Sequence, residues 1–352
     1  MAPFSSNAVR LSPREWVVVA AIVSAVFCFG PVLWRHVEKF EPEPDYRLPY
    51  QLSNDYWLYE RYCRWACLEN KTLVIGDSVI WGHYVPKDNT LSHHLNETVG
   101  RNQFANLGVD GIHPAALAGL LKYYGSQITG KKVILHFNPL WLSSKKHDLQ
   151  ITKEFRFDHP KLVPQFIPSI PCYKASYSER FSAVIGRIAA FFSWTAHLNK
   201  IYFDGMDLPA WTLEHPYLVP KFEIPRQEGA AAAAAADIQW VALDTSLQWR
   251  FFQRAIKMLE ERANTVFVLV GPFNEHILQG QSINTYRKMK REIETWLKHN
   301  NVPYYAPELL PSDLYRDASH PLSEGYALLA KYLFENESFR SSVLQIRNDL
   351  GF

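Results

Sequence analysis

The strongest constraint on the fold is a rhythm. Five short apolar or β-branched runs, Thr72–Gly76, 103–107, Lys132–Phe137, Thr265–Val270 and 302–305, alternate with longer stretches of helical character at 113–127, 247–263, 281–299 and 322–335. Runs that are apolar throughout, rather than alternating, leave no face for water. They predict strands of a parallel sheet with helices on both faces, an α/β three-layer sandwich. In such sheets the reactive groups gather at the carboxyl ends of the strands.

Ahead of this rhythm lies an uncharged run of 19 residues, WVVVAAIVSAVFCFGPVLW, at 16–34. At 1.5 Å per residue it matches a hydrocarbon core of about 30 Å. Trp16 and Trp34 stand where interfacial aromatics belong. A cleaved signal or a buried core helix would also give such a run. Against a signal, no small-x-small site follows, and Pro31, Leu33 and Trp34 are poor cleavage flanks. The expectation is a retained transmembrane anchor. Arg10 and Arg14 precede it, and Arg35 and Lys39 follow among acidic residues, a slight bias that favours residues 1–15 as a cytoplasmic N-terminus. The large C-terminal part is then extracytoplasmic. A Pro-rich, acidic stretch at 40–50 (FEPEPDYRLPY) reads as an extended spacer within a linker at 35–52. Residues 53–69 read as helical.

Composition bounds the remainder. With 352 residues, 47% hydrophobic and 20% charged, the chain has material for a sizeable core and is neither disordered nor fibrous. A net charge of +2 gives no basic field for nucleic acid. Four cysteines are too few for a disulfide scaffold; Cys63 and Cys67, four apart, would either oxidise outside the cytoplasm or stand as a structural pair of free thiols. The rhythm breaks between about 140 and 240. Within that insertion, 177–203 has a broad apolar face, suited either to a cap on the core or to a surface that meets a membrane. Seven consecutive alanines, 230–236, support no structural reading. Adjacent His93 and His94 diverge by about 100° on a helix and make a poor metal pair. No carboxylate or cysteine spacing marks His83, His113 or His136 as zinc ligands. Neither a metal nor a cofactor is expected.

Four strand ends carry groups suited to acyl chemistry. Gly76-Asp77-Ser78 puts a hydroxyl where a buried strand meets a helix N-terminus, whose free N–H groups favour an anion. Asp317-Ala318-Ser319-His320 puts a carboxylate three residues before an imidazole, within reach of Nδ1. The Gly108-Val109-Asp110-Gly111 turn and Asn138 add a backbone and an amide donor for an oxyanion. Each has a plain alternative: Asp and Ser cap helices, and Gly and Asn make turns. Asn274, after the fourth strand, and Asp77 are candidates to line the pocket.

Taken in order, Ser, Gly, Asn and Asp-x-x-His resemble the blocks of the SGNH/GDSL hydrolase superfamily. The resemblance covers about 70–140 and 262–336 and implies a flavodoxin-like sheet. It implies Ser78 as nucleophile, His320 as base, Asp317 as its orienting acid, and Gly111 (or, as a fallback, Gly108) and Asn138 as oxyanion donors. The third block departs from the family, since only its Asn survives in His136-Phe137-Asn138-Pro139. The anchor, the Phe-Asn-Pro-Leu-Trp segment and Val270–Glu275 look more like the membrane-held proteins of cell-envelope acylation, such as those of alginate O-acetylation and teichoic acid D-alanyl transfer. That likeness implies a serine acyltransferase or esterase acting on a glycan or other acyl-bearing substrate, beside a polytopic membrane-bound O-acyltransferase. The implied plan is an anchor at 16–34, the linker, and one catalytic domain at 53–352 with its insertion. A glycan deacetylase, or a non-catalytic subunit using the insertion as an interface, are the rival expectations.

Overall fold

Residues 11–163, 165, 167, 169–186, 190–203 and 237–344 are described by a computed structural model. The alanine tract, the first ten residues and the last eight lie outside them. Strands β1 (Thr72–Gly76), β2 (Phe104–Gly108), β3 (Lys132–Phe137), β4 (Thr265–Val270) and β5 (Tyr304–Tyr305) form one parallel sheet in the order β2-β1-β3-β4-β5. This is the flavodoxin-like order, which reverses direction between β1 and β3 and opens a crevice there.

Successive side chains of each strand serve opposite layers. Leu73 and Ile75 of β1, with Val133 and Leu135 of β3, join Tyr59 and Tyr62 of α2 (Tyr56–Leu68), Leu120 of α5 (Pro114–Tyr123), Phe252 of α8 (Leu247–Glu260) and Ile293 of α9 (Gln281–His299) in one core. Val74 and Ile134 face the other way. They meet Ile80 of α3 (Ser78–Trp81), Leu91 and Leu95 of α4 (Leu91–Val99) and Tyr326 and Leu329 of α10 (Ser323–Glu335). Strands β1 to β4 are buried along nearly their whole length, as their unbroken apolar pattern predicts, and the short edge strand β5 is half-buried. The chain is therefore a three-layer α/β sandwich.

The apolar run forms α1 (Pro13–Val37), longer than the run itself because Ser12 and Glu15 build a capping box ahead of it. It is long and apolar enough to cross a membrane and is almost wholly exposed. The helical stretch at 177–203 divides into α6 (Tyr177–Gly186) and α7 (Ala190–Tyr202), and α7 packs beside α1.

The stretch at 40–50, which its sequence marks as an extended spacer, lies against the domain. It has no regular secondary structure before Tyr50, which opens a short 3-10 turn (Tyr50–Leu52). Leu48 and Arg47 are buried. The Arg47 guanidinium donates to the carbonyls of Trp81, Gly82 and Val85 at 2.6–2.8 Å and lies 3.9 Å from the Trp81 ring. Burial lowers its pKa to about 10. Trp81 Nε1 in turn donates to the Leu48 carbonyl. A Pro-rich stretch looks like a spacer because it cannot form a helix or central strand. Here Arg47 and aromatic contacts such as Tyr46 on Tyr62 hold it down.

Candidate active site

The β1 strand ends at Gly76, where an added Cβ would come within 2.5 Å of Ile80 and 2.7 Å of His136. The chain turns at once into α3, with Asp77 as N-cap and Ser78 as first residue. Ser78 is thereby lifted, half-buried, to the rim of the crevice beside β3. From the far end of the chain, the turn before α10 brings His320 to it. His320 Nε2 lies 2.8 Å from Ser78 Oγ, and Nδ1 lies 2.8 Å from both Asp317 carboxylate oxygens. Asp317 Oδ1 also accepts from the Ser319 and His320 backbone N–H groups, which closes the Asp-x-x-His turn on itself. Burial alone would raise the Asp317 pKa. His320 and these two donors outweigh it and hold the carboxyl at about 2.

The structure thus brings Ser78, Asp317 and His320 into one hydrogen-bonded chain across 242 residues of sequence. An imidazole with Nδ1 held by a carboxylate presents Nε2 to a hydroxyl in the arrangement that general-base activation needs.

Asp77 and Asn274, expected to line the pocket, are instead buried braces. Asp77 Oδ1 accepts from Val79 N, and Oδ2 accepts from Asn138 Nδ2 at 2.8 Å and Trp141 Nε1 at 3.0 Å. His136 Nδ1 approaches Asp77 Oδ1 at 3.2 Å, too poorly aligned for a hydrogen bond. Burial would raise the Asp77 pKa, but His136, Asn138 and His320 together lower it. Asn274 is buried, takes the Ala318 carbonyl on its backbone N–H, and gives its side-chain amide to the Asp317 carbonyl. It fixes the turn that carries Asp317.

The oxyanion candidates separate. Ser78, as the first helical residue, has a backbone N–H with no helical acceptor. Gly111 sits in the loop after β2 at φ +71°, a conformation that favours glycine, and its N–H has no acceptor among the described residues. Asn138 spends one amide hydrogen on Asp77 and retains the second. Gly108 is corrected. Its N–H is taken by Asn106 Oδ1 at 3.0 Å, and an added Cβ would lie 2.3 Å from Trp81 N. It is glycine so that α3 can cross β2, and it has no free donor.

Aromatic and polar groups surround the triad beyond those the spacing argument picked out. Tyr84 lies edge-on to the His320 ring at 5.2 Å, and burial and the Asp317 charge raise its pKa. His83, 5.7 Å from the same ring, pairs with Asp110 at 2.5 Å. Trp141 and Asp110 carry only weak sequence signals, an indole three residues after Asn138 and an Asp inside the Gly108–Gly111 turn. His113 belongs elsewhere: it caps α5, and burial followed by the His159 charge lowers its pKa to about 3. His93 and His94 do not simply diverge. Both reach Glu97, at 3.3 and 3.2 Å, because Glu97 lies one helical turn on from each. His93 also takes Asp45 at 2.8 Å.

No family model and no curated protein matches the chain. Among solved structures it is similar to a candidate lipolytic protein of the G-D-S-L family from Desulfitobacterium hafniense DCB-2. The identity is 14% over 75% of this chain and 97% of the other, with a TM-score of 0.37.

Proposed function

We propose that the chain is a membrane-anchored serine esterase or O-acyltransferase of SGNH type that works through an acyl-serine intermediate. The observation that carries this reading is the 2.8 Å contact of Ser78 Oγ with an imidazole whose other nitrogen is held by Asp317. His320 takes the Ser78 proton as Oγ attacks an acyl carbonyl, and Asp317 stabilises the imidazolium that forms. The Ser78 and Gly111 N–H groups and the second Asn138 amide hydrogen are the donors for the oxyanion; losing one such donor costs about 10²–10³ in rate. His320 returns the proton to the leaving alcohol or thiol. Water or a sugar hydroxyl, deprotonated by His320, then takes the acyl group, and His320 returns that proton to Ser78 Oγ as the serine leaves.

The apolar α1 supports a membrane-held enzyme, and the slight excess of Arg10 and Arg14 ahead of it favours an extracytoplasmic catalytic domain. Its substrates are then acyl groups of a cell-envelope glycan, supplied beside a polytopic O-acyltransferase. The test is a fluorophosphonate probe on the full chain in detergent, followed by peptide mass analysis. Adduct formation on Ser78, lost in Ser78→Ala and His320→Ala, is expected. Absence of labelling at Ser78 in the folded protein overturns the reading.

A further inference from the structure

We propose that the α6–α7 hairpin of the insertion dips into the lipid bilayer beside α1, in the leaflet nearest the catalytic domain. This rests on the anchor part of the function proposed above and adds a second membrane contact to it. The first observation is where α7 packs. Phe191 and Phe192 lie 4.8 and 5.9 Å from Phe27 of α1, and Trp194 fits against Gly30, where an added Cβ would come within 3.0 Å of the ring. Trp34 meets Trp194 and Tyr202 at 6.2 and 5.7 Å. Phe27 precedes Trp34 by seven residues, about 10 Å along the helix axis. If Trp34 marks the interface, the start of α7 lies about 10 Å below it, the depth at which interfacial helices bury their apolar faces.

The second observation is a gradient along both helices. Ser178, Glu179 and Arg180 stand at the base of α6, and His197, Asn199 and Lys200 near the base of α7. Along α6 toward Gly186, and at the start of α7, the residues become Phe181, Val184, Ile185, Phe191 and Phe192. Phe181 is 58% exposed and Phe192 41% exposed; with Tyr177 at the start of α6 they are the only exposed large aromatics outside α1 among the described residues, the rest being buried or half-buried. Apolar surface left bare next to an apolar span faces the same solvent as that span. The third observation fixes the depth. Buried His197 bonds Asp55 of the catalytic domain at 2.7 Å and Glu38, the C-cap of α1, at 3.0 Å, and Arg61 also pairs with Glu38. The hairpin, the anchor and the domain are locked at one height.

Quenching by spin-labelled lipid tests this on the full chain. Cys28, exposed on α1, is replaced by Ser, while Cys63, Cys67 and Cys172 are buried and stay unlabelled. An NBD dye is placed by Phe181→Cys, Phe192→Cys, Phe29→Cys or Lys257→Cys. Each chain is reconstituted in phosphatidylcholine vesicles with nitroxides on the acyl chain or the headgroup. Circular dichroism checks that each variant is folded, and the two hairpin positions guard against failure of either. The expected result is acyl-chain quenching at 181 and 192 several-fold above that at 257 and comparable with 29. Water-like emission at both hairpin positions, with 29 still quenched, overturns the proposal while leaving the anchor; a face reserved for a protein partner would give that result too. If 29 is also unquenched, the anchor reading falls and the hairpin proposal falls with it.

Discussion

Two histidines in this molecule have the same first partner and different second ones. His320 and His197 both have Nδ1 on an aspartate, Asp317 at 2.8 Å and Asp55 at 2.7 Å. Nε2 of His320 meets a serine hydroxyl, whereas Nε2 of His197 meets a second carboxylate, Glu38. A hydroxyl has a proton to give, so the first arrangement can move one. Two carboxylates have none, so the second only holds the imidazole charged. Burial would lower the His197 pKa, but Asp55 and Glu38 outweigh it and push it up to about 9. The first geometry suits the proton transfer that the proposed reaction needs, and the second makes a fixed joint between α1, α2 and α7.

The sharpest break of this comparison is functional. Ser78→Ala is expected to lower acyl turnover by about 10⁴-fold or more with the unfolding midpoint unchanged, read by ester hydrolysis and urea titration. His197→Leu is expected to do the reverse. Removing a buried cation from between two carboxylates costs about 3–5 kcal/mol of stability, while turnover below the melting temperature stays within a few-fold. A His197→Leu protein as inactive as Ser78→Ala would end the distinction.

The pH dependence sharpens it. The folded His197 pKa lies above its ordinary 6.5, so its stabilisation is complete below pH 6.5 and is lost as pH rises through about 9. That is worth about 3 kcal/mol at most. The melting temperature of the native protein is expected to fall between pH 7 and 9.5, with a flatter profile in His197→Leu. Asp317 has the opposite sign: its contribution is complete above its ordinary 3.8 and fades as pH falls through about 2. Equal slopes in the two proteins at high pH would assign the loss to other groups.

Two glycines give smaller effects. Gly108→Ala forces a Cβ onto the Trp81 backbone, where nothing flexible can yield. About 1–3 kcal/mol of stability and a measurable share of turnover should go, because α3 carries Ser78. Gly111→Ala meets Asp158 only at 3.3 Å, and its cost is the φ of +71°, roughly 1–2 kcal/mol by calorimetry. If Gly111→Ala proves the worse of the two for stability, the packing role given to Gly108 is wrong.

Much of the site was legible because it depends on order along the chain. Strands without a polar face require cover on both sides, and their ends must lie together, so groups after β1, β3 and β4 were bound to meet at one edge. Asp317 and His320 are three residues apart and pair through a single turn. The roles of Gly108, Asp77 and Asn274 were not legible. A glycine that admits a crossing helix reads the same as one that offers an N–H, and a buried carboxylate reads the same as one lining a pocket. Arg47 was hidden for a similar reason, since its partners are carbonyls and carbonyls carry no sequence signature.

The sequence by itself determined the parallel α/β sheet, the apolar helix before it and the meeting of Ser78 with an Asp-x-x-His turn. Each follows from periodicity or from short spacing, which act locally or through one sheet. Only the tertiary structure decided that 40–50 is strapped to the domain, that Gly108 has no donor to offer, and that His197 joins Glu38 and Asp55 from 159 and 142 residues away. Those outcomes depend on which polar group meets which in three dimensions. Their energy comes from burying charges and donors that have to be paired, and pairing of that kind leaves no periodic trace along a chain.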